Sequence, residues 1–315
     1  MHVKPKSALT AATLTLPALL LMAAPARAAS GPAIGPATVS RPVCSSSSRP
    51  ALAARIGQAI RTARQHRVSF VAVEVYDPGA GLRCRFRGTS HFDSASVVKV
   101  MILAALLRKA QAEHRALTRT ERTLARAMIT QSDNDAASAL WADTGRTWLR
   151  RFLTRARMTH THLDPGGAWG LTRITADDET RLLWLLLKAN RVLNTSSRHY
   201  ALALMAKVTP SQRWGVPAGA PQSLVVHVKN GWLPLAPYGW RINSIGAFTA
   251  NSNKHSGQRY SIVVLTQDNP TMDYGIDTVE AIARAVNRAL NPGTIARVRP
   301  AAISGAQETP DEPIP

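Results

Sequence analysis

Hydrophobic positions along this chain change their spacing several times, and each change marks a new element. ALAARIGQAIRTARQH (51–66) carries apolar residues at helical spacing, and VSFVAVEVYDP (68–78) then alternates like a strand. The Pro-Gly-Ala-Gly step at 78–81 turns the chain into a second strand around Arg83 to Arg87. From Ala95 to about Ala206 the pattern is helical almost throughout, with breaks at QSDND (131–135) and at the glycine-rich HLDPGGAWG (162–170). Alternation returns in LVVHVKN (224–230), WRINSIGAF (240–248) and YSIVVLTQD (260–268), and a closing helix runs from about Gly275 to Leu290. Strands at both ends with helices between them predict an α+β fold, an antiparallel sheet completed by both termini around an all-helical insert. The crevice between insert and sheet is the natural place for a site.

The first thirty residues follow another pattern. Basic Lys4 and Lys6 precede an apolar stretch from about Leu9 to Ala24, and Ala26-Arg27-Ala28 follows it, which reads as a secretory signal at 1–28 cleaved after Ala28. Pro17 and Pro25 interrupt the stretch, it is short for a membrane span, and no lipid-accepting cysteine follows it, so a soluble, secreted protein is expected. Residues 29–50, rich in Pro, Ser, Gly and Ala, read as an N-terminal arm, 51–292 as the folded domain and 293–315 as a disordered tail.

Composition narrows the choice of partners. Against 19 acidic residues stand 39 lysines and arginines, so a secreted form suits an anionic cell wall, a membrane surface or nucleic acid by electrostatics alone. A nucleic-acid role is set aside because no reader motif accompanies the charge. The dense stretch RTWLRRFLTRAR (146–157) spaces Trp148, Leu149, Phe152 and Leu153 as an amphipathic helix with a basic outer face. Cys44 and Cys84 either pair, pinning the arm to the body, or stay separate thiols. With nothing at metal-ligand spacing, neither metal nor cofactor is expected, and a monomer is the default.

Three polar strings fall where the pattern has edges. Ser96-Val97-Val98-Lys99 opens the apolar helical run, and a spacing of three puts Ser96 and Lys99 on one face, about one turn apart. A serine hydroxyl is a poor nucleophile until a base takes its proton, and Lys99 can serve only in its neutral form, which burial and a neighbouring cation favour. Ser132-Asp133-Asn134 lies in a break between helices, where a plain capping turn reads equally well, and Lys229-Asn230-Gly231 ends a strand.

In this order the strings resemble the Ser-x-x-Lys, Ser-Asp-Asn and Lys-Thr-Gly set of the class A β-lactamase and penicillin-binding-protein superfamily. The resemblance runs from about Ala51 to Leu290, and the tracts RWGVPAG (213–219), KNGWLP (229–234) and YGIDT (274–278) are similar to a secreted actinobacterial subgroup of serine hydrolases. It implies Ser96 as nucleophile and Lys99 as its base. Ser132 would pass a proton to the leaving nitrogen, Asn134 would hold the substrate amide, and Lys229 would face its carboxylate. Backbone N–H groups of Ser96 and Trp232, just after Gly231, would form the oxyanion hole. Asn230 stands where the family has Thr or Ser and is assigned to substrate binding. Arg241 would supplement Lys229, although a surface arginine is the plainer reading in so basic a chain. His160 and His162 read as surface residues, while His227 shares a strand face with Lys229 and approaches the site.

One departure shapes the functional expectation. The family's loop glutamate activates the water that clears the acyl-enzyme, and this chain has no glutamate between Glu121 and Glu179. Asp164 is the loop's only carboxylate, and Glu179 fits the first turn of a helix beginning near Thr175. A serine hydrolase that acylates on a β-lactam or related amide and deacylates poorly is the expectation. A D-alanyl peptidase acting on peptidoglycan and a non-catalytic wall-binding module are the alternatives.

Overall fold

The computed structural model describes residues 42–236, 239–250 and 259–294. The signal reading at 1–28, the arm up to residue 41 and the tail beyond 294 lie outside the described residues. The first element is already a departure from the arm expected at 29–50. β1 (Cys44–Ser46) pairs antiparallel with β3 (Leu82–Phe86), and Cys44 and Cys84 are disulfide-bonded at the point where the two strands face each other. Three residues are too few to show alternation, so the cysteine supplied the only clue in the sequence.

The six-stranded antiparallel sheet has the order β1-β3-β2-β8-β7-β6. β2 (Phe70–Asp77) from the start of the domain lies between β3 and β8 (Arg259–Asn269) from its end, with β7 (Trp240–Ala250) and β6 (Leu224–Pro234) beyond. The sheet is therefore closed by both ends of the chain, as the pattern predicts. Alternation sends Val71, Val73 and Val75 of β2 and Ile262 and Val264 of β8 to one face, under α1 (Pro50–Arg64) and α8 (Met272–Leu290). Ala72, Val263 and Leu265 face the other way, into the core of the helical insert.

That insert is built around α2 (Lys99–Ala112). KVMILAALL is apolar on every side after its lysine, and a helix of that kind must be wrapped by others. α3 (Arg119–Thr130), α4 (Asn134–Thr144), α5 (Arg146–Ala156), α6 (Ala176–Leu187) and α7 (Thr195–Met205) supply the wrapping. Four of these starts are fixed by side-chain caps, Thr118 with Glu121 in a capping box, Asp133, Thr175 and Asn194, while α5 begins at Gly145 without one. A two-stranded ribbon, β4 (Phe92–Asp93) with β5 (Arg173–Ile174), was not legible in the sequence and ties the entry of α2 to the loop before α6.

Charge is buried where β2 meets α6. Glu74 is fully buried on the insert side of β2, with Arg83 pairing to it at 2.5 Å and Asp177 of α6 beside it, itself paired with Arg85. Burial, and then the neighbouring Asp177 carboxylate, push Glu74 up to about 8, against the pull of Arg83. Burial works against the Asp177 carboxylate, but Glu74 and Arg85 outweigh it and hold Asp177 below the ordinary range.

Two outcomes follow for stability. Loss of the disulfide frees a loop of 40 residues in the unfolded chain, so Cys44→Ala with Cys84→Ala lowers the unfolding free energy in urea by roughly 2–4 kcal/mol. Glu74 binds its proton more tightly folded than unfolded, so its contribution is complete below the carboxyl's ordinary range and is lost as pH rises through about 8. Urea melts from pH 5 to pH 9 should show stability falling across that window, and Glu74→Gln should flatten the slope.

Candidate active site

The segment leading into α2 is gripped from three sides. Asn243 of β7 donates to the carbonyls of Asp93 (2.9 Å) and Ser94 (3.3 Å), and the Ser94 N–H donates to the carbonyl of Thr172 at 2.9 Å. The Asp93 carboxylate takes Arg241 at 2.9 Å and Arg173 at 3.1 Å. The chain then passes through Ala95 with φ of 46° and a 3₁₀ turn at Ala95–Val98 before α2 begins. A non-glycine residue held there costs about 1–2 kcal/mol, and the turn leaves Ser96 half-buried while Ala95, Val97 and Val98 are buried.

Lys99, first residue of α2, is fully buried. Its amine donates to the Ser132 carbonyl at 2.6 Å, the Ser132 hydroxyl at 3.2 Å and Asn134 Oδ1 at 2.7 Å. The ring of Trp169 lies 4.7 Å from the same nitrogen, close enough for a cation–π contact. Lys229, also fully buried, reaches in from β6 and donates to the Ser132 hydroxyl at 2.9 Å and to the Asn230 carbonyl at 2.8 Å. With both lone pairs of that hydroxyl taken by amines, its own proton points elsewhere. Ser132 sits at φ of 60°, between α3 and α4, while Asp133 caps α4 through Ala136 N–H at 2.7 Å. The capping turn and the site are thus one structure, with Asp133 performing the first and its neighbours the second.

β6 closes the group. Gly231 lies so near the 3₁₀ turn that a Cβ there would fall 2.8 Å from Ser96 N and 2.9 Å from both the Ser94 carbonyl oxygen and Val97 N. Only glycine permits this approach.

Lys99, Ser132, Asn134 and Lys229 are therefore brought together, with Gly231 against the backbone of Ser96 one turn before Lys99, and other sequence-predicted residues are not. The alternation that turns Lys229 and Gly231 toward the insert turns Asn230 the other way, where its amide donates to the carbonyls of Gln212 (2.8 Å) and Trp214 (2.9 Å). Its side chain is thus an anchor for the 212–214 loop, which corrects its assignment to substrate binding. Trp232 packs its ring on Trp214, so its side chain also faces away. Arg241 is 2% exposed, which corrects the surface reading, and its guanidinium also donates to the carbonyls of Leu235 and Gly239. His227 lies on the face of Lys229 but is engaged by the Leu202 carbonyl and the Thr249 hydroxyl. His160 and His162 are exposed, as expected.

The two candidate carboxylates differ in their surroundings, and both Glu179 oxygens are buried without a hydrogen-bond partner among the described residues. Asp164 Oδ2 accepts Ala168 N–H at 3.1 Å within its own turn. Glu179 is fully buried in α6, where burial, and then the Asp178 charge, hold its carboxyl well above the ordinary range. The sequence reading missed Asp93, Asn243 and Trp169. A tryptophan inside a glycine-rich loop was the one available signal, whereas the roles of Asp93 and Asn243 depend on a ribbon and a strand register that no short window encodes.

Comparison with known proteins places this geometry. A family model described as the beta-lactamase enzyme family matches residues 116–290, a stretch that contains Ser132 and Lys229 and begins after Lys99. The protein named "Putative lipoprotein LppW" in Mycobacterium tuberculosis, and likewise in Mycobacterium bovis, is 28% identical over 184 residues, 56% of this chain. The match spans 58% of those relatives' own length. Among solved structures, a class A beta-lactamase from Bacteroides cellulosilyticus is 19% identical with a TM-score of 0.65, covering 75% of this chain and 97% of that one. A beta-lactamase from Sphaerobacter thermophilus is 21% identical with a TM-score of 0.63, covering 76% and 98%. These structural likenesses show the fold.

The approach of β6 to the 3₁₀ turn is open to a direct check. Gly231→Ala must push one backbone off the other and should cost roughly 1–3 kcal/mol in a urea melt, whereas alanine at exposed Arg119 should change stability by less than about 0.5 kcal/mol.

Proposed function

Because the chain belongs to the β-lactamase enzyme family, we propose that it is an exported serine hydrolase that opens β-lactams or related amides through an acyl group on Ser96 and releases that group slowly. The observation that carries this reading is the Ser132 hydroxyl, which accepts from Lys99 and from Lys229 at once. Two amines on one hydroxyl form a proton path between a nucleophile's base and a leaving group.

Neutral Lys99 takes the proton of Ser96 Oγ as that oxygen bonds to the carbonyl carbon. The charge that develops on the carbonyl oxygen meets the N–H groups of Ser96 and Trp232, whose spacing depends on the close packing at Gly231. The carbon–nitrogen bond then breaks, and the nitrogen leaves with a proton delivered from Lys99 through Ser132. Lys229 supplies positive charge for the substrate carboxylate, and Asn134, whose Oδ1 holds Lys99, has its NH₂ left for the substrate amide oxygen. Arg241 acts through Asp93 on the Ser96 turn and is a positioning residue in this scheme.

Clearing the acyl group requires a base for water on the side of the 162–170 loop. Trp169 faces Lys99 there, and the loop's carboxylate, Asp164, is occupied by its own turn. The same loop favours a second reading, a D-alanyl peptidase-like enzyme on peptidoglycan that passes the acyl group to the amine of a neighbouring peptide, because an amine asks for less activation than water. Export rests on the signal reading of residues 1–28, and the lipoprotein name of the mycobacterial relatives agrees with a destination outside the cytoplasm. Lipid attachment is not part of the reading here, since the first cysteine, Cys44, is bonded to Cys84.

Intact-mass time courses with a penicillin and a cephalosporin test the proposal. The expected result is a covalent adduct that lasts for hours on the wild type and never forms on Ser96→Ala. Rapid release of opened drug would instead reveal an efficient lactamase, and no adduct together with intact drug would favour the wall-binding module.

A further inference from the structure

Helices α2 and α5 leave between them a groove of about 760 Å³ that belongs neither to the serine site nor to the core. Arg108 of α2 and Arg150, Arg151 and Arg155 of α5 line it together with Trp148, and none of its lining residues is acidic. Some arginines of the fold face carboxylates, as with Arg83 and Glu74, Arg85 and Asp177, Arg115 and Glu121, or Arg241 and Asp93. The four groove arginines have no ion pair among the described residues, and Arg108 Nε is buried with no hydrogen-bond partner there. Burial, and then the charge of Arg155, lower the affinity of Arg108 for its proton, so the fold holds these cations together against their repulsion.

Arg150, Arg151 and Arg155 are exposed and Arg108 is half-buried, and all four line one concavity beside an aromatic ring. Arg151 lies 5.6 Å from the ring of Trp148, which keeps one guanidinium plane beside the groove. Guanidinium forks match phosphate oxygens in pairs, and four of them along a groove of this volume exceed what one phosphate can use. We propose that the α2/α5 groove binds a phosphodiester polyanion, a chain of the glycerol-phosphate type with successive charges and no bases, independently of the serine site. This puts the RTWLRRFLTRAR stretch to use as a built site with α2 as its second wall.

The test is fluorescence anisotropy of the whole mature protein with a labelled glycerol-phosphate oligomer, compared between two variants of equal charge. Arg108→Gln with Arg150→Gln and Arg155→Gln should weaken binding at least about tenfold, and Arg55→Gln with Arg119→Gln and Arg126→Gln should weaken it less than about threefold. Ser96→Ala should bind as the wild type does. Arg150→Glu alone, at an exposed position, serves as a second variant should the triple change not fold. Equal losses in the two triple variants would mean that only net charge matters and would overturn the proposal. So would the absence of binding at low salt, or tighter binding of a thymidine oligonucleotide or of phosphatidylglycerol vesicles through the same arginines.

Discussion

Two buried lysine amines meet on a single hydroxyl, and the arrangement of the fold can be understood as the means of keeping them there. An isolated ammonium loses several kcal/mol when it leaves water, so Lys99 and Lys229 persist in the interior only where acceptors are already fixed to receive them. Those acceptors come from the turn between α3 and α4, while the amines come from the head of α2 and from β6. Three elements distant in sequence must therefore be registered to within a hydrogen bond's tolerance. The apolar wrapping of α2, the caps on its neighbours and the closed sheet provide that registration.

How much of this was legible depends on how local the cause is. Helices and long strands announce themselves by period, and Ser96, Lys99, Ser132 and Lys229 stand at the edges of such runs, where a sequence reader looks first. Asn230 and Arg241 show the limit. Asn230 adjoins Lys229 and Arg241 lies across from Leu233 of the same strand, yet one faces the 212–214 loop and the other is locked to Asp93, because pleat and partner strand decide their surroundings. β1 and the β4–β5 ribbon escaped for the same reason, since two or three residues gain their conformation from the strand they meet.

The loop at 162–170 sets the character of the chemistry more than the amines do. The family fold fixes where an acyl group would sit, and the loop determines what can reach it next. A tryptophan over Lys99 shields one flank of the ammonium, and an aspartate spent on its own turn keeps the backbone compact without offering a base. In a molecule arranged this way, recognition and chemistry are separable properties. The basic groove between α2 and α5 is lined by none of the residues that meet at Ser132, so the two surfaces can vary independently.

The pairing of β2 with β8 also governs when the molecule can come into being. β2 lies near the start of the domain and β8 near its end, so seven consecutive cross-strand pairs join residues close to two hundred positions apart. No stable sheet can form until the final strand and α8 have been delivered, and contacts of such sequence separation assemble slowly. A chain built in this way stays pliable throughout its synthesis, and it gains its shape only once its last elements are at hand. The bond between Cys44 and Cys84 spans far less of the chain, joining β1 to β3 within the first part of the domain.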